Sequence, residues 1–251
     1  MTGDKKRLEF AAYVRDYEVG ADGITTAASI ANYLQDAAGK HADIMEFSAQ
    51  RLLDDGIAWV LTRLRIKIER YPNFHENIII KTWPSVFTKR VASRDYCIAD
   101  LDGNDIVHAT SNWITFDLNE RKMVELPGYV LEAHPQNAER SLEFEARSIA
   151  KLKGDTEEKS FNVRESDIDY NNHVNNVHFI EWAVEAIPSS ERNGHRLQDI
   201  DVLFRAEGKL GDTVISKCSK LDAENGKEYI HSLVRQDDNT ELARIKTVWE
   251  A

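Results

Sequence analysis

An internal duplication is the feature that most constrains the fold of this chain. Two segments alternate apolar side chains with others, which is typical of half-buried strands; their apolar positions are Leu64, Ile66 and Ile68 in one and Ile200, Val202 and Phe204 in the other. The same offset, 200 − 64 = 136, carries Glu76–Lys81 onto Asp212–Lys217 and Trp113 onto Trp249. One register fits three strands, so we expect the same structural unit twice. The period is far longer than the ~20 to 50 residues of stacked repeats.

Each half is predicted to hold a short strand, a helix and several long strands. A second offset, 161 − 17 = 144, matches the short first strands and the residues that follow them: Tyr17, Val19 and Ile24 fall on Phe161, Val163 and Ile168. Helical spacing then predicts one helix through Ile30, Leu34 and Ala38, and another through Val177, Ile180, Val184 and Ile187. We expect Gly39 to end the first helix and Pro188 to stop the second.

This order of elements predicts an α+β fold in which an antiparallel sheet curls around each helix. The predicted domains cover residues 8–130 and 159–251. Residues 131–158 are mixed in charge, contain Pro135 and Gly154, and are predicted to form a connector. A short helix is expected around Leu142 to Leu152.

The most chemically suggestive stretch, Asp169 to Asn176, lies immediately before the second helix. Asn171 and His173 suit the orientation and polarisation of a substrate carbonyl, and Asp169 could orient either of them. The N-terminus of the helix would favour an oxyanion. The competing interpretations are a helix cap by Asn175 or Asn176 and a turn in which Asp169 bonds its own backbone.

The offset of 144 predicts that only one half carries this polar set. It places Thr25, Ala27 and Ser29 opposite the acid, amide and imidazole. The sequence therefore predicts a single centre per chain.

Composition excludes several classes of function. The formal net charge of −11 over 251 residues argues against nucleic-acid binding. No apolar run approaches the ~20 residues of a membrane span, and the first residues lack the apolar core of a signal peptide, so we expect a cytoplasmic protein. Cys97 and Cys218 are expected to be packing residues. No Cys/His cluster has metal-ligand spacing, so neither a metal nor a cofactor is expected.

The stretch from Asp169 to Val177, followed by Ile180–Trp182, resembles the signature of acyl-acyl-carrier-protein (acyl-ACP) thioesterases, plant and bacterial enzymes built from two hotdog domains in tandem. Other segments that resemble this family are Tyr17–Asp22, Trp59–Leu64, Glu69–Pro72 and Phe204–Glu207. The resemblance implies hydrolysis of fatty acyl-ACP to free fatty acid in fatty acid biosynthesis, with the first half shaping the acyl pocket.

The resemblance also implies that Glu207 is the catalytic glutamate. Many plant members have a cysteine directly after this glutamate, where this chain has Gly208, so a cysteine nucleophile is not expected here. Strict alternation along the strand turns Glu207 away from Val202 and Phe204, and a bulge near Gly208 would be needed to turn it inward. The chain begins without a plastid transit peptide, which favours a bacterial enzyme.

Three alternatives to acyl-ACP hydrolysis stay open: an acyl-CoA thioesterase, a hotdog dehydratase and a non-catalytic acyl-binding module. Acyl carrier protein is acidic, so an acidic enzyme would need a confined basic patch to dock it. Lys89, Arg90 and Arg94 are the candidates, with a solvated loop face as the competing interpretation. Either a monomer or a homodimer is expected.

Overall fold

The protein is described by a computed structural model that covers residues 6–133, 138–154, 156–221 and 226–251. The chain divides into two compact units, Met1–Phe144 and Glu145–Ala251. Pro135, one of the residues behind the predicted connector, lies outside the described residues.

The first unit is a twisted antiparallel sheet with one long helix. Its elements in chain order are β1 (Leu8–Tyr13), a 3₁₀ turn (Asp16–Glu18), α1 (Ala27–Ile44), α2 (Ala49–Asp54), β2 (Ile57–Ile68), β3 (Asn77–Phe87), β4 (Ala92–Ala99), β5 (Asp105–Asp117), β6 (Lys122–Val124) and α3 (Gly128–Glu132). The strands pair in the order β1-β3-β4-β5-β2, and β6 pairs with β5. Helix α1 packs against β3.

The second unit repeats this arrangement. Its elements are β7 (Glu157–Asn162), a 3₁₀ turn (Glu165–Asp167), α4 (Asn176–Ala186), α5 (Ser189–Arg192), β8 (Arg196–Phe204), β9 (Thr213–Leu221), β10 (Lys227–Arg235) and β11 (Glu241–Glu250). The strands pair in the order β7-β9-β10-β11-β8, which is the order of the first unit. Helix α4 packs against β7, β9, β10 and β11. The predicted α+β fold of two tandem hotdog units is therefore confirmed.

The core of each unit lies between its helix and its sheet. Ile30, Leu34 and Ala37 are buried along α1, and Val177 and Ile180 are buried along α4. These positions follow the 3.6-residue period that the sequence shows, so burial of one apolar stripe accounts for the placement of each helix. The predicted apolar positions Ile66 and Ile68 in β2 and Ile200 and Val202 in β8 are buried, as expected. Arg65 and Asp201, which lie between them, are buried as well, so these strands are not half-exposed at those positions.

The end of the first helix is not where the sequence predicted it. Gly39 was expected to stop α1, but the helix continues to Ile44, and Gly39 lies in its exposed interior. The helix continues because His41, one turn after the buried Ala37, is itself buried. The actual end is at Met45, whose N–H is bonded to the carbonyl of His41. The predicted stop of α4 is confirmed, since that helix ends at Ala186, two residues before Pro188.

The duplication is confirmed in the strands, and its second offset, 144, needs correction. Strands β3 and β9 begin 213 − 77 = 136 residues apart, and β5 and β11 begin 241 − 105 = 136 apart, as predicted. The 3₁₀ turns, however, begin 165 − 16 = 149 residues apart, and the bridge Val19↔Thr25 recurs as Ile168↔Val174 at the same offset. The offset of 144 is therefore wrong. It relied on a few apolar residues in short strands, where a match of that kind arises easily.

Between α3 and β7, the described part of the predicted connector consists of bends and irregular backbone. No helix forms in residues 142–152, contrary to expectation. Residues before Phe144 bond to the first unit, where Trp83 Nε1 donates to the carbonyl of Glu139 and Arg65 Nη1 donates to that of Glu143. Later residues bond to the second unit, where Ser219 donates to the carbonyl of Lys153. Backbone groups of the segment are thus satisfied by side chains of the sheets, which replaces the need for helix formation.

Two further expectations concern burial and membranes. Cys97 and Cys218 are both buried free thiols, as expected of packing residues. Within the part of the chain that the structure describes, none of the helices combines the length and apolar character that crossing a bilayer requires.

Candidate active site

The loop before α4 is closed on itself by hydrogen bonds. The Asp169 N–H donates to the carbonyl of His173 at 2.8 Å, and the Asn172 N–H donates to the carbonyl of Asp169 at 3.0 Å. Asn172 adopts a left-handed conformation with φ of 63°, which asparagine tolerates better than most residues. The carboxylate of Asp169 accepts the backbone N–H groups of Asn171 at 2.8 Å and His173 at 3.3 Å. These bonds fix the backbone of His173 before any substrate arrives.

The far end of the loop is attached to a buried acid. Asn175 caps α4 by accepting the Val177 N–H, and its own N–H donates to the carbonyl of Asp167. Burial alone would raise the pKa of Asp167, but hydrogen bonds from Arg164 outweigh it and hold the pKa below its ordinary value. Arg15 and Glu18 form the same arrangement in the first unit. This acid–arginine pair therefore belongs to the fold and not to the chemistry.

Glu207 lies beyond the end of β8, so strand alternation does not decide its orientation. The strand ends at Phe204, and the N–H groups of Arg205 and Ala206 both donate to the carbonyl of Leu242. Two donors on one acceptor break the ladder in the manner of a bulge. The Glu207 carboxylate then lies 3.2 Å from His173 Nε2, with the two side chains 49% and 36% exposed. The expected irregularity thus turns the acid towards the imidazole at a site open to solvent.

Gly208 holds the two segments of the site together. Its carbonyl accepts the Val174 N–H at 2.9 Å. A Cβ at position 208 would lie 2.9 Å from Val174 Cγ2 and 3.3 Å from Val174 Cβ, closer than side chains ordinarily pack. A cysteine does not fit at this position without displacing Val174, the residue next to His173.

The predicted site residues thus form two pairs. His173 and Glu207 approach through their side chains. Asp169 and Asn171 approach through a longer contact of 3.5 Å between Nδ2 of Asn171 and Oδ2 of Asp169. The other oxygen of Asp169, Oδ1, accepts the backbone N–H groups of Asn171 and His173. Their catalytic roles stay predictions.

The first unit lacks the set at the corrected positions as well. The offset of 149 places Gly20, Asp22 and Ile24 opposite Asp169, Asn171 and His173, and the offset of 136 places Tyr71 opposite Glu207. The backbone is nevertheless the same, since the Thr25 N–H donates to the carbonyl of Pro72 as the Val174 N–H does to that of Gly208. The fold alone therefore does not require an acid–imidazole pair.

The predicted basic patch is wrong in one of its three members. Lys89 and Arg90 are exposed on the turn between β3 and β4. Arg94 is 6% exposed, and its Nη1 bonds to His41 Nδ1 and Thr82 Oγ1 inside the first unit. It faces the core because it lies within β4, where alternate side chains point to the helix.

Sequence reasoning missed Arg235, at the end of β10. Its Nη2 donates to the carbonyl of Glu207 at 2.6 Å, and its Nε and Nη1 donate to Asp212 and Asp238, each at 2.9 Å. An arginine that ends a strand is common, and no sequence pattern tied it to an acid 28 residues earlier.

The fold and the site together define a tandem-hotdog protein. Among the described residues, the second unit carries a histidine just before its helix, paired with a glutamate that follows β8. Two models of known protein families match the chain, one for each half. The family model described as the acyl-ACP thioesterase N-terminal domain matches residues 6–133, and that of the C-terminal domain matches residues 150–251. The chain belongs to the acyl-ACP thioesterase family.

Individual relatives agree with this membership. The chain is 27% identical to a palmitoyl-acyl carrier protein thioesterase of Gossypium hirsutum, over 94% of the chain and 62% of that protein. It is 29% identical to oleoyl-acyl carrier protein thioesterase 1 of Arabidopsis thaliana, over 94% of the chain and 74% of that protein. Both are chloroplastic. The chain spans about three fifths of the length of several such plant relatives.

A solved bacterial structure matches the whole chain. The crystal structure of an acyl-ACP thioesterase from Bacteroides thetaiotaomicron superimposes with a TM-score of 0.86 at 26% identity, and the match covers 100% of both chains.

Proposed function

We propose that this protein hydrolyses the thioester of fatty acyl-ACP and releases free fatty acid in fatty acid biosynthesis. Membership of the family and the activities named for its plant and bacterial relatives support the proposal. The observation that carries it is the contact of 3.2 Å between His173 Nε2 and the Glu207 carboxylate, at a solvent-open site immediately before α4.

Thioester hydrolysis requires a base, a stabilised oxyanion and a proton for the leaving thiolate. Glu207 accepts a proton from water, whose oxygen forms a bond to the thioester carbon. His173 and the amide of Asn171 hold and polarise the carbonyl. The C–S bond then breaks, and the thiolate of the carrier leaves with the proton from Glu207. Atoms balance as one thioester and one water giving one carboxylic acid and one thiol.

Asp169 has an indirect role in this scheme. Its carboxylate accepts the N–H groups of Asn171 and His173, so it sets the backbone from which both groups reach the substrate. Water needs no further route to the site, since both members of the pair are partly exposed.

The test is release of free thiol from a panel of acyl-ACP substrates of short to long chain length, repeated with the matching CoA thioesters. Wild type is expected to release thiol, and His173→Ala and Glu207→Gln are each expected to lower kcat at least ~100-fold. His195→Ala, at a half-buried histidine of the same unit, serves as the control and is expected to keep wild-type kcat.

Three results would contradict the proposal. Thiol release by His173→Ala at the wild-type rate would remove the imidazole from the chemistry. Loss of water from a β-hydroxyacyl substrate without thiol release would identify a dehydratase. Acyl-ACP binding with no product from wild type would identify an acyl-binding module.

Two finer features belong to the same proposal. The full-length match to a bacterial structure supports a bacterial enzyme. We also propose that it works in the cytoplasm, which fractionation of the source cells would test. A monomer or a homodimer is proposed, and sedimentation of the purified protein distinguishes them.

A further inference from the structure

The position of Glu207 needs an explanation, because few contacts of its own side chain hold it. It lies in the loop after β8, its side chain is 49% exposed, and its contact with His173 is with a residue that is itself 36% exposed. Exposed ion pairs of this kind are weak, and an unrestrained glutamate would sample other rotamers. The backbone of the loop must therefore supply the order.

Arg235 supplies bonds at the required places. Its guanidinium, 20% exposed, donates to the Glu207 carbonyl at 2.6 Å and to the Asp212 carboxylate at 2.9 Å. Asp212 in turn accepts the Lys209 N–H at 2.9 Å, and its own N–H donates to the carbonyl of Lys209. A third bond, to Asp238, fixes the guanidinium itself. One rigid, planar group thus joins the two ends of the loop to strand β10.

The next residue of the loop is bonded to the segment that carries His173. The carbonyl of Gly208 accepts the N–H of Val174, which follows His173 in the chain. Adjacent carbonyls of the loop therefore have different partners, Arg235 for Glu207 and Val174 for Gly208. A shift of the first would move the Glu207 side chain relative to His173 while the second stays in place.

The first unit shows how the equivalent loop is held where no acid–imidazole pair is present. There Arg70 donates to the carbonyl of Tyr71, the equivalent of Glu207, at 3.3 Å, and to the carboxylate of Glu76, the equivalent of Asp212, at 2.7 Å. That arginine belongs to the loop itself. An arginine that bonds across this loop is thus common to both units. In the second unit the arginine comes from a separate strand, β10, and its bond to the carbonyl of Glu207 is the shorter one.

We propose that Arg235 is a positioning residue for the hydrolysis: it fixes the main chain of Glu207 so that the carboxylate meets His173. This inference rests on the proposed function and deepens it. It also identifies Arg70→Gln as a matched control, since that variant removes the same kind of loop bond where no acid–imidazole pair exists.

The test compares kcat, KM and thermal unfolding for Arg235→Gln, Arg235→Lys and Arg70→Gln. Because a displacement of about 1 Å can cost up to ~100-fold in rate, Arg235→Gln is expected to lower kcat about tenfold or more while KM changes less than about twofold. Arg70→Gln is expected to lower the unfolding temperature and to keep kcat within about twofold. Arg235→Lys, which keeps the charge and one donor, is expected to have an intermediate kcat, and it stands in for Arg235→Gln if the latter does not fold.

A double variant shows whether Arg235 acts through Glu207. If it does, adding Arg235→Gln to Glu207→Gln lowers kcat no further, because the group that Arg235 positions is already absent. If Arg235→Gln lowered kcat by the same factor in wild type and in Glu207→Gln, the inference would be overturned. Wild-type kcat in Arg235→Gln and Arg235→Lys, or an equal fall of kcat in Arg70→Gln, would also overturn it and leave Arg235 as a support of loop stability alone.

Crystal structures separate this inference from the proposed function. The Glu207 carboxylate is expected to leave hydrogen-bond distance of His173 Nε2 in the Arg235 variant that folds and to keep it in Arg70→Gln. An unchanged contact in the Arg235 variant overturns the inference whatever the enzyme hydrolyses. Failure of wild type to release thiol would instead reject the proposed function, and the crystal structures would still decide the role of Arg235.

Discussion

At the scale of single residues, Gly208 and Val174 constrain each other at the site. The two residues share a backbone hydrogen bond, and they leave no room for a Cβ at position 208. Because Val174 follows His173, a side chain at position 208 that displaces Val174 would also displace the imidazole of His173. The absence of a side chain here is thus a geometric condition for the His173–Glu207 contact.

We predict that Gly208→Ala lowers kcat/KM about tenfold or more, because the new Cβ would lie 2.9 Å from Val174 Cγ2 and must push that side chain away. Adding Val174→Ala removes the obstructing methyl groups and is expected to restore part of the loss. The measurement is kcat/KM for Gly208→Ala, Val174→Ala and the double variant. A double variant as impaired as the sum of the two single ones would show that the clash is not the cause.

The sequence could single out candidate site residues but not the geometry that joins them. His173 and Asn171 could be named because they sit in a long polar signature directly before an apolar helix. The orientation of Glu207 could not be predicted, since it depends on two N–H groups sharing the Leu242 carbonyl, a feature of backbone geometry that no side-chain pattern encodes. The burial of Arg94 was predictable in principle, because alternation within β4 assigns that position to the helix-facing side.

At the scale of elements, strands were predicted more securely than the segments around the helices. Long alternating strands fix a register over many residues, so the offset of 136 holds for β2 to β5 against β8 to β11. The helices differ in length, 18 residues for α1 and 11 for α4, and the segments that precede them are short. A sequence match across such a length difference rests on few residues, so the apolar pattern alone favours 144 over the actual offset of 149.

Gly39 provides a test of how α1 is stabilised. It lies in the helix interior, with a helical backbone and open space where a Cβ would be. We predict that Gly39→Ala raises the free energy of unfolding by about 0.5 to 1 kcal/mol, since alanine loses less backbone entropy in a helix. Denaturant unfolding of wild type and variant measures the difference. An unchanged or lower stability would indicate that the exposed face of α1 makes a contact that only a glycine at position 39 allows.

At the scale of the whole molecule, stability should depend on pH through a buried histidine. His231 is fully buried in β10 and bonds to Thr247 Oγ1 through Nε2, and burial lowers its pKa from 6.5 to about 3. Between these pH values the unfolded chain binds a proton that the folded protein does not. Its contribution is therefore fully present above pH 6.5 and is lost as the pH falls towards 3, by roughly 1.4 kcal/mol per pH unit.

We accordingly predict that wild type loses about 2 kcal/mol of unfolding free energy through this group between pH 6 and pH 4, beyond what its carboxylates contribute. His231→Gln removes the titration, so its stability should fall less steeply over the same range even if it starts lower. Urea unfolding at several pH values gives both slopes. Parallel slopes would assign the acid sensitivity to other groups.

The net charge of the molecule bears on how it would meet an acidic carrier protein. A charge of −11 repels such a partner at long range, and screening by salt weakens that repulsion. Lys89 and Arg90 are exposed neighbours on the turn between β3 and β4. The carbonyl of Lys89 accepts the N–H of Leu126, which fixes the turn. The two cations that remain of the predicted patch are thus held on an ordered surface.

We predict that Lys89→Glu combined with Arg90→Glu lowers kcat/KM for an acyl-ACP substrate about three- to tenfold at low salt, because charge reversal at a docking surface slows association. The same variant should hydrolyse a neutral N-acetylcysteamine thioester at the wild-type rate, since that substrate carries no protein to dock. Raising the ionic strength to 0.5 M, where the Debye length falls to roughly 4 Å, should shrink the difference between variant and wild type. Equal kcat/KM for acyl-ACP at low salt would move the docking surface away from this turn, and the carrier would then have to approach through cations elsewhere on an acidic molecule.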